Sequence, residues 1–152
     1  MEKQSRRNFF NALLKEASIW FREAGGKRHL PLNKLSTLPE EVVKDIEPVF
    51  FKGQRWKIES GYLMIHSGAE NGYRPWRKMA ETELFIFRHF QQGTAIGAIS
   101  KEVAGAFNKP DEACFKEVSE LFFSLARLRI CHPADAEEIA AFFEKQSRES
   151  ID

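Results

Sequence analysis

Between residues 55 and 128 the hydrophobic period changes once, from two residues to three or four. That change constrains the chain to a small sheet followed by packed helices. Residues 55–59 read Arg-Trp-Lys-Ile-Glu, an alternation that suits a half-buried strand. Ser60 and Gly61 supply a turn. Residues 62–66 give a second strand, with Leu63 and Ile65 on one face and Tyr62, Met64 and His66 on the other. After a loop at 67–72, residues 73–79 form a third strand, which Pro75 confines to a sheet edge. From Thr82 the spacing becomes helical. Leu84 with Phe87, and Ile86 with Phe90, mark a helix over 82–91 that Gly93 ends. Thr94 caps the next helix, striped by Ile96, Ile99, Val103 and Phe107. Pro110, Asp111 and Glu112 open the longest one, whose stripe is Phe115, Val118, Leu121, Phe122, Leu125 and Leu128.

The flanks read as helical. Phe10, Leu13, Leu14, Ala17, Trp20, Phe21 and Ala24 recur at helical steps, so a helix is expected over 8–24, with Gly25-Gly26 as its stop. A loop follows to Ser36. Thr37-Leu38-Pro39-Glu40 has the capping-box pattern and predicts a helix to about residue 47, with Val42, Val43 and Ile46 buried and Pro48 ending it. A last helix over 134–144 carries Ile139, Phe142 and Phe143, and the polar residues 145–152 are expected to fray. The fold class is therefore α+β. A winged-helix-like core, with a two- to three-stranded antiparallel sheet and three helices, occupies 53–132. A helical extension precedes it over 1–52, and a short helix and tail follow over 133–152.

Charge narrows the partners. The net charge is +1, against a general nucleic-acid binder. Residues 1–60 carry 12 Lys/Arg and 8 Asp/Glu, while 61–152 carry 11 and 14, too mild a bias to imply a membrane or phosphate partner. Cys114 and Cys131 are too few for a disulfide framework and read as free thiols in a reducing compartment. Ser5-Arg6-Arg7-Asn8-Phe9-Phe10 looks like a twin-arginine signal, but Lys15, Glu16, Arg22 and Glu23 interrupt what should be an apolar region. A cytoplasmic location is expected, with no membrane association.

No catalytic constellation emerges. None of His29, His66, His89 and His132 has a second histidine or a cysteine two to four residues on, and adjacent Cys131 and His132 cannot easily face one ion. No activated nucleophile is recognisable. Glu40/Glu41 and Glu137/Glu138 sit in first turns, where complementing the helix dipole is their ordinary role. Gly93 to Gly97 lacks the lysine and preceding strand of a phosphate loop. The chain is expected to be a non-enzyme without metal or cofactor. A helix-turn-helix is conceivable at 82–129, but residues 111–129 set Asp111, Glu112, Glu117 and Glu120 against Lys116, Arg127 and Arg129, which weakens docking on phosphates.

A peptide groove is the remaining candidate. An edge strand accepts an added strand, and this one carries Arg74, Trp76, Arg77 and Lys78. On the long helix Phe123 lies off the apolar stripe, near Lys116. Trp76 and Phe123 would give apolar contact, and Arg74, Arg77 and Lys116 would meet acidic side chains. The competing arrangement packs Trp76 and Phe123 against the N-terminal segment, which must dock somewhere.

Residues 54–132 resemble the PqqD family of small peptide-recognition domains. The resemblance rests on the strands at 55–59 and 62–66 and on Glu81-Thr82-Glu83-Leu84-Phe85-Ile86. It continues through Phe90-Gln91-Gln92-Gly93-Thr94, Ile99-Ser100-Lys101-Glu102-Val103, Val118, Phe122, Leu125 and Leu128-Arg129-Ile130. The chain departs from the family at Gln92, where Asp is frequent, and at Arg129, where Gly is usual. The resemblance implies a non-enzymatic role: binding a precursor or leader peptide along the third strand and third helix, and presenting it to a radical-SAM maturase. It also implies a short apolar strand after the third helix. The rival readings are a winged-helix DNA-binding regulator and an adaptor for a redox or maturation enzyme that works through the N-terminal helices. A homodimer through the apolar N-terminal helix stays open.

Overall fold

A computed structural model describes residues 18–23, 26–53, 55–66 and 72–151. The chain is α+β with a winged-helix-like core. Strands β4 (Trp56–Glu59), β5 (Tyr62–His66) and β6 (Tyr73–Lys78) form an antiparallel sheet in that order. Helices α2 (Glu81–Gln91), α3 (Ile96–Phe107) and α4 (Asp111–Arg127) follow. Ser60 and Gly61 both have positive φ, 52° and 81°, and join Glu59 to its partner Tyr62. Two left-handed residues in a two-residue loop match the right-handed twist of the flanking strands. Leu63 and Ile65 are fully buried and Tyr62 is exposed, as the alternation requires.

The N-terminal segment departs from expectation. Residues 18–23, expected as the end of a helix, form β1 (Ser18–Glu23), paired with β2 (Gly26–Pro31) in a hairpin that sets Glu23 opposite Gly26. Residues 8–17 of the expected helix lie outside the described residues. The consecutive Ile19, Trp20 and Phe21 favour an extended chain, and Gly26 begins β2. The expected loop after Gly25 is β2 followed by a 3-10 helix, Leu32–Thr37. Thr37 caps nothing: its hydroxyl donates back to the Lys34 carbonyl at 2.7 Å. Helix α1 is only Glu40–Lys44 and starts after Pro39.

Pro48, expected to end the helix, lies past it, since the helix stops at Lys44. It begins β3 (Pro48–Phe50), which pairs antiparallel with β7 (Cys131–Pro133). Phe51 N–H adds a bond to the Ile130 carbonyl at 3.0 Å, and Ala134 N–H one to Glu47 at 2.9 Å. The strand implied after the third helix is thus present, and its partner comes from the first third of the chain. The turn into it puts Arg129 at φ 59°, a left-handed position that a glycine would take without strain. Helix α5 (Ala136–Ile151) runs through residues expected to fray.

One buried cluster draws on all three segments. Leu30, Leu32, Leu35, Leu38, Val43 and Ile46 from the first join Phe87, Phe90, Val118 and Phe122 from the second and Ile139 from the third. Deleting residues 1–50 would therefore open the core, so the extension cannot be removed as an independent appendage. Packing explains one of the two glycines of α3. A Cβ on Gly97 would meet Lys44 Cβ at 3.1 Å and Lys44 O at 3.2 Å, whereas one on Gly105 meets nothing within 4 Å. Gly105→Ala is expected to stabilise by about 0.5–1 kcal/mol through helix propensity. Gly97→Ala should give no gain, or lose up to about 1 kcal/mol, because α1 must shift. Chemical denaturation of the two variants side by side checks this.

Candidate functional site

Strand β6 is an edge of its three-stranded sheet, next to β5. Its register against β5 slips once: Leu63 faces Arg77 but Met64 faces Pro75, so Trp76 is an extra residue. A bulge of this kind bends a strand and re-aims its side chains. Here it brings the Arg77 guanidinium over the Trp76 ring, 4.4 Å from the centroid. Arg77 is further held by an ion pair to Glu83. The other oxygen of Glu83 accepts the Ala80 N–H at 3.0 Å, so one carboxylate caps α2 and fixes the end of β6.

Between this corner and α4 lies a groove of about 340 Å³ lined by Arg77, Glu83, Lys116, Glu117, Glu120 and Ser124, among others. Glu117 is paired with Lys109 at 3.5 Å. Next to it along α4 a larger groove, about 700 Å³, is walled by Leu38 and Val43 from the 3-10/α1 segment and by Phe115 and Phe123 from α4. Lys116, Glu120 and Ser124 line both grooves. They recur every four residues and form the ridge between them.

The five residues singled out from the sequence therefore separate. Arg77 and Lys116 meet in the first groove, and Lys116 and Phe123 in the second. Phe123 packs on Phe122 at 6.2 Å and faces Leu38 and Val43 of the N-terminal segment across the second groove. Trp76 is half-buried against the core and lines neither groove. Arg74 lines neither as well, sits opposite Ile65 in the sheet, and has partners of its own. Sequence reasoning missed Glu83 and the groove walls Leu38 and Val43. Glu83 was legible as an acidic residue at the third position of α2. Nothing local announces that Leu38 opposes Phe123.

No three His, Cys, Asp or Glu side chains cluster in metal-binding fashion among the described residues. Nor is any helix there long and apolar enough to cross a membrane. Both cysteines are buried free thiols. Burial pushes the Cys131 thiol well above its ordinary value. Burial also raises Cys114, with Glu117 adding to the effect and Lys109 opposing it. A raised folded-state pKa means that above pH ~8.5 the unfolded chain releases a proton that the folded one keeps. Stability is thus full below that pH and falls above it. The Cys131 contribution to that decline continues until its folded pKa is reached. Unfolding midpoints for wild type and Cys131→Ala at neutral and alkaline pH should show a decline steeper in the wild type.

No family model matches the chain, and no match is found among curated proteins or solved structures.

Proposed function

We propose that this protein is a non-enzymatic peptide-binding accessory protein. An extended peptide adds to the outer edge of β6, and its side chains reach the groove along α4. The observation that carries this reading is an edge strand, bent by a bulge, bordering a groove whose far wall is a helix ridge. Main-chain bonds to a sheet edge give affinity with little sequence demand, and the groove supplies selection. Pro75 withholds one donor from the ladder. Lys116 meets acidic side chains; Arg77 is largely committed to Glu83. In the fuller form, which follows the PqqD-like pattern of residues 54–132, the ligand is a ribosomal precursor or leader peptide. The protein then hands it to a radical-SAM maturase in the cytoplasm.

The DNA-reading alternative gains nothing from the fold. Helix α4 exposes Asp111, Glu112 and Glu120 against Lys116, which repels phosphates.

The test is capture of short peptides on the immobilised full chain, followed by titration of a synthetic copy into isotope-labelled protein. Resonance shifts confined to β6 and α4 are expected. Failure to retain any peptide, or shifts only elsewhere, would reject the reading, and retention of duplex DNA would favour the regulator.

A further inference from the structure

Resting on the peptide reading, we propose that the groove between the 3-10/α1 segment and α4 is an anchor pocket. It takes one bulky apolar side chain of the ligand, flanked by acidic residues. The groove holds about 700 Å³, ample for an aromatic side chain, and its apolar walls are Leu38, Val43, Phe115 and Phe123. Phe115 and Phe123 are only partly covered by the core, so a ligand ring entering here removes further apolar surface from water.

The charges select the flanks. Glu40 is already paired with Lys44 at 3.3 Å. Among the described residues Lys116 and Arg127 have no ion-pair partner, and Glu120 is the one uncommitted carboxylate of the groove. Two free cations against one free anion favour a ligand carrying carboxylates beside its apolar group.

Continuity sets the order. The ridge of Lys116, Glu120 and Ser124 borders this groove and the one beside β6. A peptide laid on the β6 edge and continuing across α4 passes over this one ridge to reach the pocket, so the anchor residue lies beyond the last residue laddered to β6. The N-terminal segment, outside residues 54–132, builds two of the four apolar walls of this pocket and so adds a specificity element to the core.

A capped tripeptide too short to ladder on β6 isolates the pocket. Acetyl-Glu-Phe-Glu-amide titrated to millimolar concentration into isotope-labelled full chain should shift Leu38, Val43, Ser119 and Phe123. Acetyl-Glu-Ala-Glu-amide should bind about tenfold or more weakly, and acetyl-Lys-Phe-Lys-amide several-fold more weakly. Arg127→Glu should narrow the preference for acidic flanks. Ser36→Trp, at the exposed lip, should abolish tripeptide binding without unfolding the chain. No shift at those residues, or equal binding of all three tripeptides, would overturn the proposal. It would leave the β6 reading standing, since that is read separately by a longer peptide shifting β6. Concentration-dependent shifts at the same residues in the free protein would assign the groove to a second copy and also overturn it.

Discussion

Replacing Phe87 with alanine is expected to lower the free energy of unfolding by about 3–5 kcal/mol. The ring is 1% exposed. It meets Phe50 edge-on at 5.4 Å and Trp56 at 4.9 Å, and those two rings meet each other at 5.4 Å. This triangle joins α2, β3 and β4, and Phe50 in turn faces Cys131 in β7. Removing the apex leaves a cavity bounded by three separate elements. β3 and β4 are each held by a ladder and α2 by its own helical bonds, so the space cannot close cheaply. The loss is a large share of the roughly 5–15 kcal/mol that stabilises an ordinary domain. Urea unfolding should show a lower midpoint with an unchanged slope. A loss below about 1 kcal/mol would mean that the triangle repacks and is not a keystone.

The elements read best from sequence were those in which period and punctuation agreed. Residues 62–66 alternate strictly behind Ser60-Gly61, and they form β5 with those bounds. The expected helix over 82–91 is Glu81–Gln91, one residue longer. Where period and residue type disagreed, the period misled. Phe10 to Ala24 fits helical spacing, but three consecutive strand-forming residues lie within it, and a sheet partner in β2 decides the outcome for residues 18–23. Thr37 shows the same weakness on a smaller scale, since Pro39 sets the helix start and the hydroxyl turns back to Lys34.

The candidate site was half legible for a related reason. Arg77 and Lys116 follow from an edge strand and a helix face, both local properties. Which neighbour Phe123 faces depends on where Leu38 and Val43 dock, more than seventy residues earlier in the chain. Periodicity within one helix carries no information about that. Trp76 packs against the core and under Arg77 at a bulge that alternation cannot reveal.

Reversing the charge of Lys116 should weaken peptide binding more than removing Arg77, although Arg77 lies closer to the strand that takes the peptide. Lys116 is exposed, lines both grooves and has no ion-pair partner among the described residues. An exposed pair contributes about 0.2–1 kcal/mol, and reversal both removes the attraction and adds a repulsion. Lys116→Glu is thus expected to cost about 1–2 kcal/mol, or roughly 5–30-fold in Kd. Arg77 differs because it already neutralises Glu83, whose side chain is 18% exposed. Arg77→Ala leaves that carboxylate without its cation while Glu83 still accepts the Ala80 N–H. Its effect should fall on thermal stability, by about 1–2 kcal/mol, with little change in affinity. Salt separates the two further. The Lys116→Glu deficit should shrink as ionic strength rises, because it comes from solvent-exposed charges. Isothermal titration of both variants at low and high salt measures all of this. An Arg77→Ala affinity loss exceeding that of Lys116→Glu would show that the ligand displaces Glu83 from Arg77, placing the recognition cation on β6 instead of α4.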